Sequence, residues 1–185
     1  LALLDMQSLI YSCLLTPQGK FLHDFYVYKE ANTFFLECEC GARAQDLAAR
    51  LMPYKLRADV EIACVGDCDV WALWGVSGSI SEPTIHADPR LPNLWRSYNA
   101  LPEIYSEESY EAYDLFRLQN GLPDGARDLA VGKSSMLESR MDVLNAVSYD
   151  KGCFIGQELT ARMHYRGLAK KHLYVLEKTH ADVAF

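Results

Sequence analysis

One thiol stands between two glycines in the run Lys151-Gly152-Cys153-Phe154-Ile155-Gly156-Gln157-Glu158, and a polar helix start follows at once. Glycine at 152 and 156 allows backbone angles and close approaches that a side chain would forbid. The stretch from Gln157 to Met163 reads as one or two turns of helix, so Cys153 would sit just ahead of a positive helix end and beside Lys151. Both features favour a thiolate. The plainer reading of the same residues is a buried, inert cysteine in a tight turn.

The elements that must position this thiol alternate between strand and helix. Phe21 to Tyr28 and Thr33 to Cys38 are rich in aromatic and β-branched residues around a polar break at Glu30-Ala31-Asn32, which predicts an antiparallel pair. Ala44 to Met52 places Leu47 and Leu51 with Ala44 and Ala48 on one helical face, and Pro53 stops it. Val60 to Val65 and Cys68 to Trp74 alternate around Gly66-Asp67, which predicts a hairpin with a type II′ turn. From Ile80 to Leu101 the chain reads as loop, with Pro83, Pro89 and Pro92, and a boundary or long crossing is expected there. Ser106 can cap a following helix whose first turn holds Glu107 and Glu108, with Tyr110, Tyr113 and Phe116 turned to the core, and Gly121 and Pro123 close it. A last strand is expected over His172 to Glu177. The order describes an α+β fold built on antiparallel sheets with packed helices.

Composition excludes several classes. A chain of 185 residues, half of them apolar, can bury a real core. No apolar run approaches the length of a membrane span, and Leu1 to Asp5 lacks the basic region and cleavage site of a signal peptide, so no membrane partner is expected. Six cysteines at irregular spacing suit a reduced compartment. A net charge of −7 argues against direct nucleic-acid binding. That charge is uneven: Glu103, Glu107, Glu108, Glu111 and Asp114 crowd one stretch, whereas 151–172 holds Lys151, Arg162, Arg166, Lys170 and Lys171 against Glu158. The second stretch suits a small anion or a solvated helix face. Gly132-Lys133-Ser134 is no phosphate loop, because Arg127 stands where the first glycine is required. Cys38-x-Cys40 and Cys64-x-x-x-Cys68 offer no closed ligand set, and no metal site is expected.

The Lys151–Glu158 octet resembles the K-G-C-[FY]-x-G-Q-E signature of YgfZ-type folate-binding proteins, relatives of the glycine-cleavage T-protein. Other segments resemble that family in the same order: Leu14 to Lys20 with Asp24, Asp88-Pro89-Arg90, Phe116-Arg117-Leu118 with Gly121 and Pro123, Leu137-Glu138 with Asp142, then Ala161-Arg162 and Arg166-Gly167. The resemblance covers about residues 14–172. It implies a T-protein-like fold with a first folate-binding part over 1–100, a second part over 101–172 carrying the Lys-Gly-Cys run, and the start of a largely absent carboxy-terminal β-barrel over 173–185. Both ends are expected to be truncated.

The resemblance also implies tetrahydrofolate, or a one-carbon derivative, as cofactor. Glu138 would read the pterin edge and Arg117 or Arg162 would meet the folate glutamate, with Lys151 and Gln157 completing the cofactor-binding set. Cys153 and Asp24 are the candidate catalytic residues. T-proteins carry paired aspartates where this chain has His23-Asp24, and they lack the cysteine octet, so only Asp24 remains for proton movement at a folate nitrogen. The expected function is therefore that of a folate-binding accessory factor for iron–sulfur cluster assembly or repair, serving assembly proteins or client enzymes that include tRNA-modifying ones. The alternative is a folate-dependent aminomethyltransferase. A cytoplasmic location is expected first and the mitochondrial matrix second.

Overall fold

The computed structural model describes residues 2–66, 68–76, 78, 80–98, 101 and 104–176. A 3₁₀ turn over Ala2–Asp5 leads into β1 (Leu9–Leu15), β2 (Phe21–Glu30) and β3 (Thr33–Cys38). These make one antiparallel sheet in the order β1-β2-β3. The β2–β3 pair is the one expected, closed where Glu30 faces Thr33 and Ala31 takes the left-handed conformation. Strand β1 was not anticipated. Its residues alternate, with Leu9, Tyr11 and Leu15 buried, and its register slips between Leu14 and Leu15 where the chain prepares to turn.

The first helix, α1 (Ala42–Leu51), stands where the apolar spacing puts it, with Leu47 buried and Pro53 inside the 3₁₀ turn Met52–Lys55 that ends it. The hairpin expected over residues 60–74 does not form. Residues 60–65 lie in no strand and leave Val60 and Val65 exposed, because no neighbouring layer covers them, and Asp67 of the expected turn lies outside the described residues. Instead β4 (Val70–Leu73) pairs with β6 (Trp95–Tyr98), which also pairs with β5 (Ile85–Ala87). Two strands therefore occupy the stretch read as loop. The prolines fall outside them, and Asp88 accepts its own turn's hydrogen bond from the Arg90 amide.

Helix α2 (Tyr110–Gln119) starts later than expected, because Ser109, not Ser106, caps it: its hydroxyl accepts from the Ala112 amide. Phe116 stacks on Trp74 at 5.4 Å, as a core residue should, but Tyr110 is exposed and lies under the Arg127 guanidinium. Short α3 (Gly125–Asp128) and α4 (Gln157–Tyr165) complete the elements. Residues 172–176 run without strand pairing, held where the Leu173 amide donates to the Glu138 carbonyl, and Glu177 lies outside the described residues.

Among the described residues, one core cluster joins these parts. Leu9, Tyr11 and Phe21 from the first sheet meet Leu122, Met136 and Met141 from the region after α2. The two sheets are tied by buried charge as well as by apolar contact. Tyr28 stacks on Tyr98 at 4.2 Å, Arg96 of β6 pairs with Glu37 of β3, and the Tyr98 hydroxyl donates to the same carboxylate.

Candidate functional site

The turn between β1 and β2 and the start of α4 interlock through glycine. Gly156 takes φ +81°, and a Cβ placed on it would lie 2.6 Å from the Thr16 carbonyl oxygen. Gly19 answers from the other side: a Cβ there would stand 2.9 Å from the Thr160 hydroxyl oxygen. Only glycine permits this approach. Gly152, by contrast, has nothing within 4 Å of such a position, so the close approach expected of both glycines belongs to Gly156 alone.

The interlock holds residues 151–155 across the end of β1 and forms a cavity of about 490 Å³. Cys13, Leu14 and Leu15 supply its strand wall, and Lys151, Cys153 and Phe154 its loop wall. Cys153 is exposed. The Lys151 ammonium lies 5.2 Å from the centre of the Phe154 ring, a cation–π contact that folds the loop onto itself. The Phe154 amide donates to the Gln157 side-chain oxygen at 3.1 Å, so Gln157 fixes the loop to the first residue of α4.

Behind the strand wall lies a polar interior. Cys13 and Asp24 face each other across the β1–β2 ladder, and the Tyr11 hydroxyl donates to the Asp24 carboxylate at 2.8 Å. Burial, then the Asp24 charge, pushes the Cys13 thiol up to about 12. Burial likewise holds the Asp24 carboxyl above the usual carboxylate range, against the Tyr11 hydrogen bond and the Arg90 charge. His23 points elsewhere, with its Nε2 2.7 Å from Asp46 of α1, and burial lowers its pKa.

The Asp88-Pro89-Arg90 element, to which the resemblance attaches no role, is scaffold. Asp88 takes the Arg90 guanidinium in a fork, the Tyr26 hydroxyl at 3.1 Å and Arg96 at 3.6 Å. Both guanidiniums lie over the Tyr26 ring, at 5.0 and 4.1 Å from its centre. Burial would push the Asp88 carboxyl up, but the charge and hydrogen bonds of Arg90 together with Arg96 hold it below the ordinary range.

Of the expected site residues, Cys153 and Lys151 share the cavity, Gln157 braces its loop and Asp24 stands behind it. The others lie apart. Arg117 is buried and donates to Asp114, Asp128 and the Leu122 carbonyl, so its fork is engaged at the end of α2. Glu138 is half-buried and does not line the cavity. Arg162 opens on a separate shallow groove along α4. Cys13 was missed. The signal available for it was the alternation of Leu9, Tyr11, Cys13 and Leu15, which marks one strand face ending at the turn that Gly156 meets.

The arrangement offers one accessible soft nucleophile on the rim of an apolar cavity, next to a cation and backed by a protonated thiol and a carboxyl of high proton affinity. No protein-family model matches the chain. Curated proteins similar to it include iron–sulfur cluster assembly factors. They include the mitochondrial iron–sulfur cluster assembly factor IBA57 of Mus musculus, 32% identical over 187 residues that cover 89% of this chain and 52% of the relative. The Homo sapiens protein of the same name matches at 32% with the same coverage. The IBA57 homologue of Pyricularia oryzae is 30% identical over 183 residues, 88% of this chain and 46% of its own. The chain thus spans about half the length of the curated relatives it matches.

Proposed function

We propose that this chain acts in mitochondrial iron–sulfur cluster assembly, with the cluster as cargo and Cys153 as the side chain that meets it. The observation that carries this reading is the placement of Cys153: exposed, on the loop wall of the cavity beside Lys151, and held there by the Gly156–Gly19 interlock. A thiolate is a preferred ligand for iron in such clusters. The relatives' names supply the cargo and the compartment, the second of the two locations expected from sequence. Assembly proteins and client enzymes, the tRNA-modifying ones included, are the partners this reading proposes.

Tetrahydrofolate enters the proposal through the sequence resemblance. The cavity volume and its apolar wall suit a flat ring, while Glu138, Arg117 and Arg162 lie apart from it. The role given to Cys153 therefore does not pass through folate. The aminomethyltransferase reading draws support from Asp24, whose raised proton affinity suits a group that must hold a proton.

Complementation separates these readings. In cells lacking the protein, Cys153→Ala is expected to fold normally and to fail to restore iron–sulfur enzyme activity, while Asp24→Asn restores it. Turnover of an aminomethyl donor with tetrahydrofolate that Asp24→Asn abolishes and Cys153→Ala spares would replace cluster assembly with one-carbon transfer.

A further inference from the structure

Helix α4 leaves the Cys153 loop and carries its cations outward. Arg162 and Arg166, one turn apart, flank Ala161 and the exposed ring of Tyr165 in a shallow groove whose far end is Glu158. Lys170 and Lys171 follow on exposed chain. Among the described residues, none of these four cations takes part in an ion pair. Arg90, Arg96, Arg117 and Arg127 are each matched to one or more carboxylates. Other described cations outside the ion pairs, such as Lys20, Arg57, Lys133 and Arg140, are scattered along the chain, whereas Arg162, Arg166, Lys170 and Lys171 fall within residues 162–171, a local concentration of positive charge in a chain of net charge −7.

Composition says what kind of contact this face suits. Arginine and tyrosine are the side chains most enriched at the centres of protein interfaces, where they combine apolar area with directed hydrogen bonds, whereas lysine belongs to the rim. Tyr165 is 71% exposed between two arginines, with Leu159 and Leu168 also open. Lys170 and Lys171 lie beyond them. A nucleic acid would meet the repulsion of the acidic remainder of the chain at the next phosphates. An acidic protein surface of limited area would not.

We infer that the α4 face docks an acidic surface of a protein partner, and that this partner is the one whose cargo reaches Cys153. The inference rests on the cluster-assembly reading for the identity of the cargo. The docking itself rests only on α4. The groove reaches back to Glu158, five residues along the chain from Cys153, so a partner seated on Arg162, Tyr165 and Arg166 sits on the helix that leaves the loop wall of the cavity. Rim cations would speed the encounter and the arginine–tyrosine centre would set its lifetime.

The test uses a fluorescent ten-residue oligoglutamate peptide as probe, titrated against the full chain at low and at physiological salt. Binding is expected to weaken with salt, and to weaken at least tenfold in the pair Arg162→Glu with Arg166→Glu. An equal charge reversal elsewhere, Arg57→Glu with Lys133→Glu, is expected to change it by less than twofold, and circular dichroism checks that both variants fold. Cys153→Ala should bind the probe as wild type does, so failure of the cluster reading and failure of the docking site are seen separately. The α4 pair should also lower iron–sulfur enzyme activity in the complementation assay. An equal loss from both charge-reversed pairs would overturn the site. A short RNA bound with the same dependence on Arg162 and Arg166 would convert it to a phosphate site, and displacement of the probe by one equivalent of a polyglutamylated folate would convert it to a site for the folate tail.

Discussion

Cys13 and Cys153 line the same cavity and have opposite chemistry. Cys13 is part of a strand: half-buried, its sulfur 3.7 Å from the Ala146 carbonyl oxygen and opposite a carboxyl, with burial pushing its thiol up to about 12. Cys153 is part of a loop, exposed beside a lysine. The difference teaches that sharing a pocket does not share a role. What the backbone does behind each sulfur decides whether a reagent can reach it.

Alkylation breaks or sharpens this contrast most directly, and its expected effect is the largest. At pH 7.5 a thiol that titrates near 12 is thiolate in only about three molecules in 100,000. Peptide-resolved labelling with iodoacetamide should therefore modify Cys153 and leave Cys13 untouched over the same interval. Comparable rates at the two positions would show that the strand wall opens on the timescale of labelling, and the contrast would fail.

The loop wall exists because Gly156 is pressed against the β1–β2 turn. Gly156→Ala must strain a backbone at φ +81° and move the Thr16 carbonyl away from a Cβ 2.6 Å distant. A loss of about 2–3 kcal/mol is expected in urea unfolding. Gly152→Ala should cost well under half of that, since nothing stands within 4 Å. If the two substitutions cost the same, the loop is not held as described and Cys153 owes its exposure to something else.

The same pair of glycines shows what could be read in advance. The octet announced a tight loop ahead of a helix, and the glycine at 156 with the helix at 157 stand where the sequence put them. What it could not announce was the partner, because the Thr16–Gly19 turn lies some 140 residues away in the chain. The same limit explains the lost hairpin over 60–74. Alternation marked Cys68 to Trp74 as strand, and Val70–Leu73 within it is one, but pairing is decided by which neighbour buries a face, and β6 won over residues 60–65. Asp88 and Arg90 were visible as a motif and invisible as scaffold, since their role depends on Tyr26, Arg96 and Glu37 from two sheets. Arg117 shows the reverse limit: the matching segment names the cation, while the carboxylates of Asp114 and Asp128 around it are brought there by the fold.

Asp24 supplies the smallest effect and the one whose sign is most telling. Arg90 and Arg96 face Asp88 and Glu37, so the buried network is balanced without a further negative charge, and burial holds the Asp24 carboxyl above its ordinary range. A carboxyl whose folded pKa lies above its unfolded value binds more protons folded than unfolded. Its ionisation therefore costs stability, progressively, as pH rises from about 4 through the folded pKa. Asp88 has the opposite sign: its depressed carboxyl gives stability present above the unfolded value and lost as pH falls through the folded one. Asp24→Asn keeps an oxygen for the Tyr11 hydroxyl and removes the charge, so it should raise stability at pH 7 and leave the acid limb, set by Asp88, in place. Urea unfolding of both proteins between pH 4 and 8 reads the difference. A variant less stable than wild type at pH 7 would mean that the folded state is stabilised by the Asp24 anion, and burial would then not be what dominates at this carboxyl.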